Sequence, residues 1–252
     1  MLVGGTAGHR SGSDKRMKRP AFGLIVVALL LACSVACSRD PNVKKQKYLE
    51  SGKRYAEQAK YREAVIQFAN AVQVDPRFAE AHYQLALAYM KLGAFSSAYN
   101  ELMRTVDLDP ENTKAQLDLG NFLLAGNHAD EAVKRAELVL AKHPDNAGAH
   151  ALLANVRASK GDNTAALAEI RKAIELSPQD SKLYANLGLF LQYAKQNSEA
   201  EAAYKHAVEL EPKSSNILLT LASFYTSQQR WSDAEQILQR AVDADPTSPQ
   251  TR

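Results

Sequence analysis

The sequence predicts an all-α solenoid built from six helix-turn-helix repeats of 34 residues. Three observations carry that expectation. Prolines stand at Pro76, Pro110, Pro144, Pro178, Pro212 and Pro246, each 34 residues after the last, and a strict period of this length marks a repeat architecture. Aligned on it, the chain divides into units 45–78, 79–112, 113–146, 147–180, 181–214 and 215–248. Small residues then fall in register at the eighth position (Gly52, Ala86, Gly120, Ala154, Gly188, Ala222), and alanine fills the twentieth in every unit. A leucine holds the seventh position in five units, from Leu85 to Leu221.

Each unit reads as two antiparallel helices. Positions eight and twenty must lack bulk because packed helix axes approach to roughly 8–10 Å. The chain turns between the helices, near Gly93 in "KLGAF" and Gly161 in "SKGDN". The proline ends the second helix, since it cannot donate a backbone hydrogen bond and crowds the preceding turn. Two residues later comes a helix N-cap type: Asn112, Asn146, Asp180, Ser214 and Ser248, with Phe78 as the exception.

The repeat resembles the tetratricopeptide repeat, whose signature is W-x2-L-G-x2-Y, then A-x3-F, then P. The first unit reads Tyr48, Ser51, Gly52, Tyr55, Ala64, Phe68, Ala71, Pro76, and the fifth reads Tyr184, Leu187, Gly188, Leu191, Ala200, Tyr204, Ala207, Pro212. The resemblance implies a right-handed superhelix in which each repeat buries its apolar face against its neighbours. Arg157, Ala136 and Val139 depart from the pattern and predict looser packing around the third and fourth units.

Residues 1–36 have the build of a leader. Lys18 and Arg19 precede "AFGLIVVALLLA", and small residues follow, the order of a secretory signal peptide. The apolar run is shorter than the roughly 20 residues a membrane-crossing helix needs. Translation from Met17 would put the basic residues directly at the N-terminus. Both cysteines of the chain, Cys33 and Cys37, close this run. A disulfide between them would enclose a tiny loop and staple nothing. "LLAC" and "SVAC" resemble the lipobox of bacterial lipoproteins, which implies diacylglycerol attachment to Cys33 or Cys37. Ordinary cleavage after Ala36 is the alternative, and would leave a secreted or soluble periplasmic protein. A serine follows each Cys, which by the same resemblance implies an outer-membrane lipoprotein facing the periplasm. Residues 37–44 read as a short linker.

Charge argues against a nucleic-acid partner. The leader holds a surplus of four positive charges, so the rest of the chain is net −1 against +3 for the whole. Function is expected instead on the concave face that the resemblance assigns to the first helices. Its candidate groove residues are Leu49, Lys53, Tyr83, Leu87, Leu117, Asn121, Asn155, Asn186 and Leu189. An asparagine both donates and accepts, which suits it to hold the backbone of an extended segment. The carboxylate clamp of chaperone-binding tetratricopeptide repeats is absent, because Leu117 and Ala151 stand where that pattern requires lysine. No catalytic residues, metal ligands or cofactor site emerge, and His82 and His150 at the fourth position read as packing residues.

The expected function is therefore a non-catalytic, lipid-anchored scaffold for protein partners. Its leader and repeats resemble the lipoproteins of exopolysaccharide export and protein sorting, and also the pilotin-like lipoproteins of type IV pilus secretin assembly. The docking part of a truncated larger enzyme is a further alternative. Residues 249–252 begin what would be another helix, so an uncapped apolar end and self-association through it are also expected.

Overall fold

The computed structural model describes Met1 and residues 40–244. The leader, with Met17, Cys33 and Cys37, lies outside the described residues, as do Ser248 and residues 249–252. Within them the chain forms twelve helices and no strand. The first helices of the six repeats are α1 (Pro41–Glu57), α3 (Ala79–Lys91), α5 (Thr113–Ala125), α7 (Ala147–Ser159), α9 (Ser181–Tyr193) and α11 (Ser215–Ser227). The second helices are α2 (Tyr61–Val74), α4 (Phe95–Leu108), α6 (Ala129–Lys142), α8 (Asn163–Leu176), α10 (Asn197–Leu210) and α12 (Trp231–Ala244).

The expected linker over 37–44 needs correction. Helix α1 begins at Pro41, with Asp40 as its N-cap accepting a 2.8 Å hydrogen bond from the Asn42 amide. Proline suits the first helical position because its missing N–H would be unpaired there anyway. The first helix is thus 17 residues long where the other first helices have 13.

Every hairpin closes in the same way. The residue at position fifteen adopts positive φ in all six repeats: Ala59, Gly93, Asn127, Gly161, Lys195 and Gln229. The next amide reaches back to the carbonyl at position eleven, as in Lys60 to Tyr55 at 2.9 Å and Arg230 to Tyr225 at 3.0 Å. This is the Schellman closure of a helix C-terminus. Between repeats, Asn112, Asn146 and Asp180 cap the following helix through their side chains as expected. Ser214 makes no such bond, whereas Asp162 caps α8.

Close approach at position eight accounts for the missing side chain there. A Cβ on Gly188 would stand 2.7 Å from Cδ1 and Cε1 of Tyr204, and one on Gly52 would collide with the Phe68 ring. The third repeat has only Ala136 at the corresponding position. There Leu152 from the next repeat reaches over Gly120 instead and is itself 1% exposed. The space predicted to be loosely packed is filled by a neighbour.

Histidine at position four does more than fill space. His82 faces Glu101 through Nδ1 at 2.5 Å and the Pro76 carbonyl through Nε2 at 3.1 Å. His150 repeats the arrangement with Glu169 at 2.8 Å and Pro144 at 3.2 Å. In the third repeat Gln116 donates to the Pro110 carbonyl at 3.0 Å and accepts from Arg135 at 3.2 Å. A carbonyl only accepts, so the side-chain nitrogen facing it is the donor. Each of these three units thereby pins the proline loop before it to its own second helix.

At the junction of the last two repeats Glu201 takes hydrogen bonds from Tyr225 at 3.1 Å and Arg230 at 2.6 Å, and pairs with Lys205 at 2.8 Å. Burial alone would raise its pKa, but the bonds from Lys205, Arg230 and Tyr225 outweigh that and hold it at about 2. A depressed carboxyl stabilises the fold above its ordinary value of 4.5 and loses that contribution as pH falls through the folded value. Replacing Glu201 by Gln should therefore lower the thermal midpoint near neutral pH, with the difference from the parent shrinking as pH drops from about 5 to about 2. Calorimetry across that range checks it.

Candidate functional site

Adjacent first helices touch one another across the repeats (α1 with α3, α5 with α7, α9 with α11), whereas no pair of second helices makes comparable contact among the described residues. The first helices therefore follow the inner, shorter path of the solenoid and their free sides line its concave face. Hydrogen bonds span that face directly: Tyr83 Oη to Asp118 at 2.9 Å between α3 and α5, and Gln192 to Ser227 at 3.0 Å between α9 and α11.

Two of the expected groove residues are not available to a partner. Leu49 is 3% exposed, packed with Phe68, Ala64 and Leu85 in the N-terminal core. Tyr83 is 8% exposed, its ring in the core of the next repeats and its hydroxyl committed to Asp118. Burial and the adjacent carboxylate push the Tyr83 phenol far above its ordinary value, while burial raises Asp118 against the hydrogen bond that Tyr83 supplies. At the fifth position Leu49 and Tyr83 are buried whereas Leu117 is half-buried, a difference that sequence position alone does not reveal.

The remaining candidates split into two regions. Near the N-terminal end Lys53 lies 3.4 Å from Glu80 and 3.9 Å from Glu50, and Gln84 donates to Glu80 at 3.0 Å. That end is a network of charges satisfied within the protein. Glu80, Gln84 and Asp118 were missed as groove residues; their positions two and six, on the same helix face, were the signal that could have found them.

Further along, aliphatic and amide side chains predominate, with Lys114 and Lys182 as the charged residues at position two. Leu87, Leu117 and Leu189 are half-buried and give an aliphatic floor. Gly148 contributes no side chain, because a Cβ there would lie 2.8 Å from Leu117 Cδ1. Asn121 is exposed and Asn155 and Asn186 are half-buried. Among the described residues the asparagine side chains engaged by other protein groups are Asn112, Asn146 and Asn197, along with the Asp40-capped Asn42 backbone. Among the described residues, no protein group engages the side chains of the three groove asparagines.

Lys45 is drawn inward, 2.6 Å from Asp75 and 4.9 Å from the centre of the Phe78 ring. No group of three His, Cys, Asp or Glu side chains converges to hold a metal ion among the described residues. No described helix is long and apolar enough to cross a membrane.

Comparison with known proteins agrees with this geometry. Tetratricopeptide-repeat profiles match residues 101–156 and 191–251, residues 52–93, and residues 79–112 and 147–180. A curated relative, the DnaJ homolog subfamily C member 3 of Bos taurus, is 31% identical over 103 residues, covering 41% of this chain and 20% of its own length. The chain thus spans about a fifth of the curated relatives it first matches. A tetratricopeptide repeat protein from Parabacteroides merdae superposes with a TM-score of 0.75 at 16% identity, over 92% of this chain and 93% of that one. PilF of Pseudomonas aeruginosa superposes with a TM-score of 0.61 at 17% identity, over 84% of this chain and 96% of that one. At such identities the likeness concerns the fold alone.

Proposed function

Because the chain belongs to the tetratricopeptide-repeat family, we propose that it is a non-catalytic scaffold whose concave face grips extended segments of protein partners. On this reading a lipid on Cys33 or Cys37 anchors it to a bacterial outer membrane, facing the periplasm. It serves there in exopolysaccharide export or protein sorting. The observation that carries the binding role is the stretch from α5 to α9, where Asn121, Asn155 and Asn186 stand uncommitted over an aliphatic floor. An extended backbone offers alternating N–H and C=O groups, and each amide side chain can answer one of each. The anchor rests on the order of charge, apolar run and cysteine in the leader.

The proposal is tested by capture of partners from membranes with the intact protein and with the Asn121→Ala/Asn155→Ala/Asn186→Ala variant. Three hydrogen bonds at about 1 kcal/mol each amount to roughly 100-fold in affinity. The variant should keep the parent's thermal midpoint and lose the partners. Equal recovery by both proteins would remove the groove from the account. Incorporation of a palmitate analogue, abolished by Cys33→Ala or by Cys37→Ala, tests the anchor separately.

A further inference from the structure

Charge is unevenly shared along the array. Residues 40–78 carry eight Lys and Arg against five Asp and Glu, whereas residues 79–244 carry sixteen against twenty-one. None of the later repeats has a net positive charge. The surplus gathers at one end of the first hairpin, where α1 begins and α2 ends. Lys44, Lys45 and Lys47 stand within the first seven residues of α1, and its first turn holds no acid. The helix macrodipole opposes cations at that end, so helix stability does not account for them.

The acids of that end are engaged within the protein, and most of the cations are not. Asp40 accepts from the Asn42 amide at 2.8 Å. Asp75 takes the Lys45 ammonium at 2.6 Å and the Arg77 amide at 3.0 Å. Further along α1, Lys53 pairs with Glu80. Lys44, Lys47 and Arg77 are exposed and make no ion pair among the described residues. Lys44 also borders an open cleft of about 430 Å³ between the two helices. Pro41, Lys44, Tyr48, Asn70, Gln73 and Val74 line it, so it contains no carboxylate. Beside these lysines Val43 presents an apolar side chain that is 48% exposed.

We propose that this end of the first repeat is a docking surface for the headgroups of an anionic phospholipid membrane. Lys44, Lys47 and Arg77 meet the phosphates, which attract cations near the surface. The amides of Asn70 and Gln73 donate to a headgroup seated in the cleft, and Val43 enters the layer below it. Cations without partners, a cleft that holds donors but no acid, and an apolar tip suit a lipid surface together. On the anchor reading, on which this docking rests for its orientation, the leash is short. It spans at most about 10 Å of extended chain from Cys37 to Asp40, and about 25 Å from Cys33. The first of these is no longer than the Debye length of about 10 Å at moderate salt. The array then stands on its first repeat, and the anionic surface repels the acid-rich repeats beyond it.

Residues 38–252 keep all twelve described helices and neither cysteine, so their binding to vesicles is read apart from any lipid anchor. In co-sedimentation, partitioning onto phosphatidylglycerol vesicles should exceed that onto phosphatidylcholine vesicles roughly 100-fold, the effect of three cations. Lys44→Gln/Lys47→Gln should lower it about 30-fold. Salt that shortens the Debye length from about 10 Å to about 3 Å should abolish it. Lys134→Gln/Lys213→Gln, which alters exposed lysines of later repeats, should leave it unchanged. Equal partitioning onto the two vesicles, no loss in Lys44→Gln/Lys47→Gln, or an equal loss in Lys134→Gln/Lys213→Gln would overturn the proposal. Capture on polyglutamate with none on vesicles would do the same, by making an acidic protein segment the occupant. Incorporation of the palmitate analogue reports on the anchor alone, so failure of the anchor and failure of the docking surface are told apart.

Discussion

Tyr204→Ala should lower the stability of the last two repeats by about 4 kcal/mol, the cost of emptying a fully buried aromatic site. Tyr204 is 1% exposed, lies in the space that Gly188 leaves open, and packs at a tilt against Phe224 of the next repeat, with ring centres 5.3 Å apart. Its hydroxyl also donates to Gln192 at 3.1 Å. One side chain therefore holds α9, α10 and α11 together. In an array whose repeats touch only their neighbours, loss at one junction uncouples what lies beyond it. The single unfolding transition of the parent should split, with the Trp231 fluorescence change preceding the loss of total helix in urea. A single transition shifted by less than about 1 kcal/mol would show that the junction is not held this way.

The second large effect lies at Leu152, where Leu→Ala should cost about 3 kcal/mol. The more telling result is its coupling to Gly120. A methyl group at 120 collides with Leu152, so Gly120→Ala should destabilise the parent by roughly 1–2 kcal/mol. With Leu152 already truncated, the collision is gone and the higher helix propensity of alanine remains, worth about 1 kcal/mol in favour of the fold. Gly120→Ala should thus change sign between the two backgrounds in a double-mutant cycle measured by urea unfolding. Additivity of the two changes would mean that Leu152 does not occupy the place of the missing large side chain at Ala136.

The fold was legible because its determinants are local and repeated. Proline every 34 residues, alanine at position twenty and small residues at position eight are chemical requirements of a turn and of two close helix contacts, and they recur in register. The left-handed turn residue was legible only at Gly93 and Gly161, where glycine announces it. At Ala59, Lys195 and Gln229 the same backbone is imposed by the helices on either side, at some conformational cost, and nothing in the side chain signals it. Asp40 and Pro41 carried a helix-start signal that a reading anchored on the repeat boundary passed over.

The concave face was legible only in part. Position five looks outward on a helix diagram, yet Leu49 and Tyr83 turn into the core, because burial there depends on which residues the adjacent second helices supply. Lys53 reads as a free cation until Glu80 is placed beside it. Partnerships between repeats are long-range, so single positions do not disclose them. The asparagines at 121, 155 and 186 remain distinctive because no neighbour among the described residues claims them.

The central claim is that partners lie along the inner path of the solenoid, in the middle repeats. Site-specific photo-crosslinking in cells tests it most directly, with one photoreactive residue placed at Asn155 and, in a parallel strain, at Leu138 on second helix α6, which is 54% exposed. Adducts to partner proteins from position 155, absent from position 138 and outcompeted by the unmodified protein, are the predicted result. Adducts from 138 with none from 155 would contradict it.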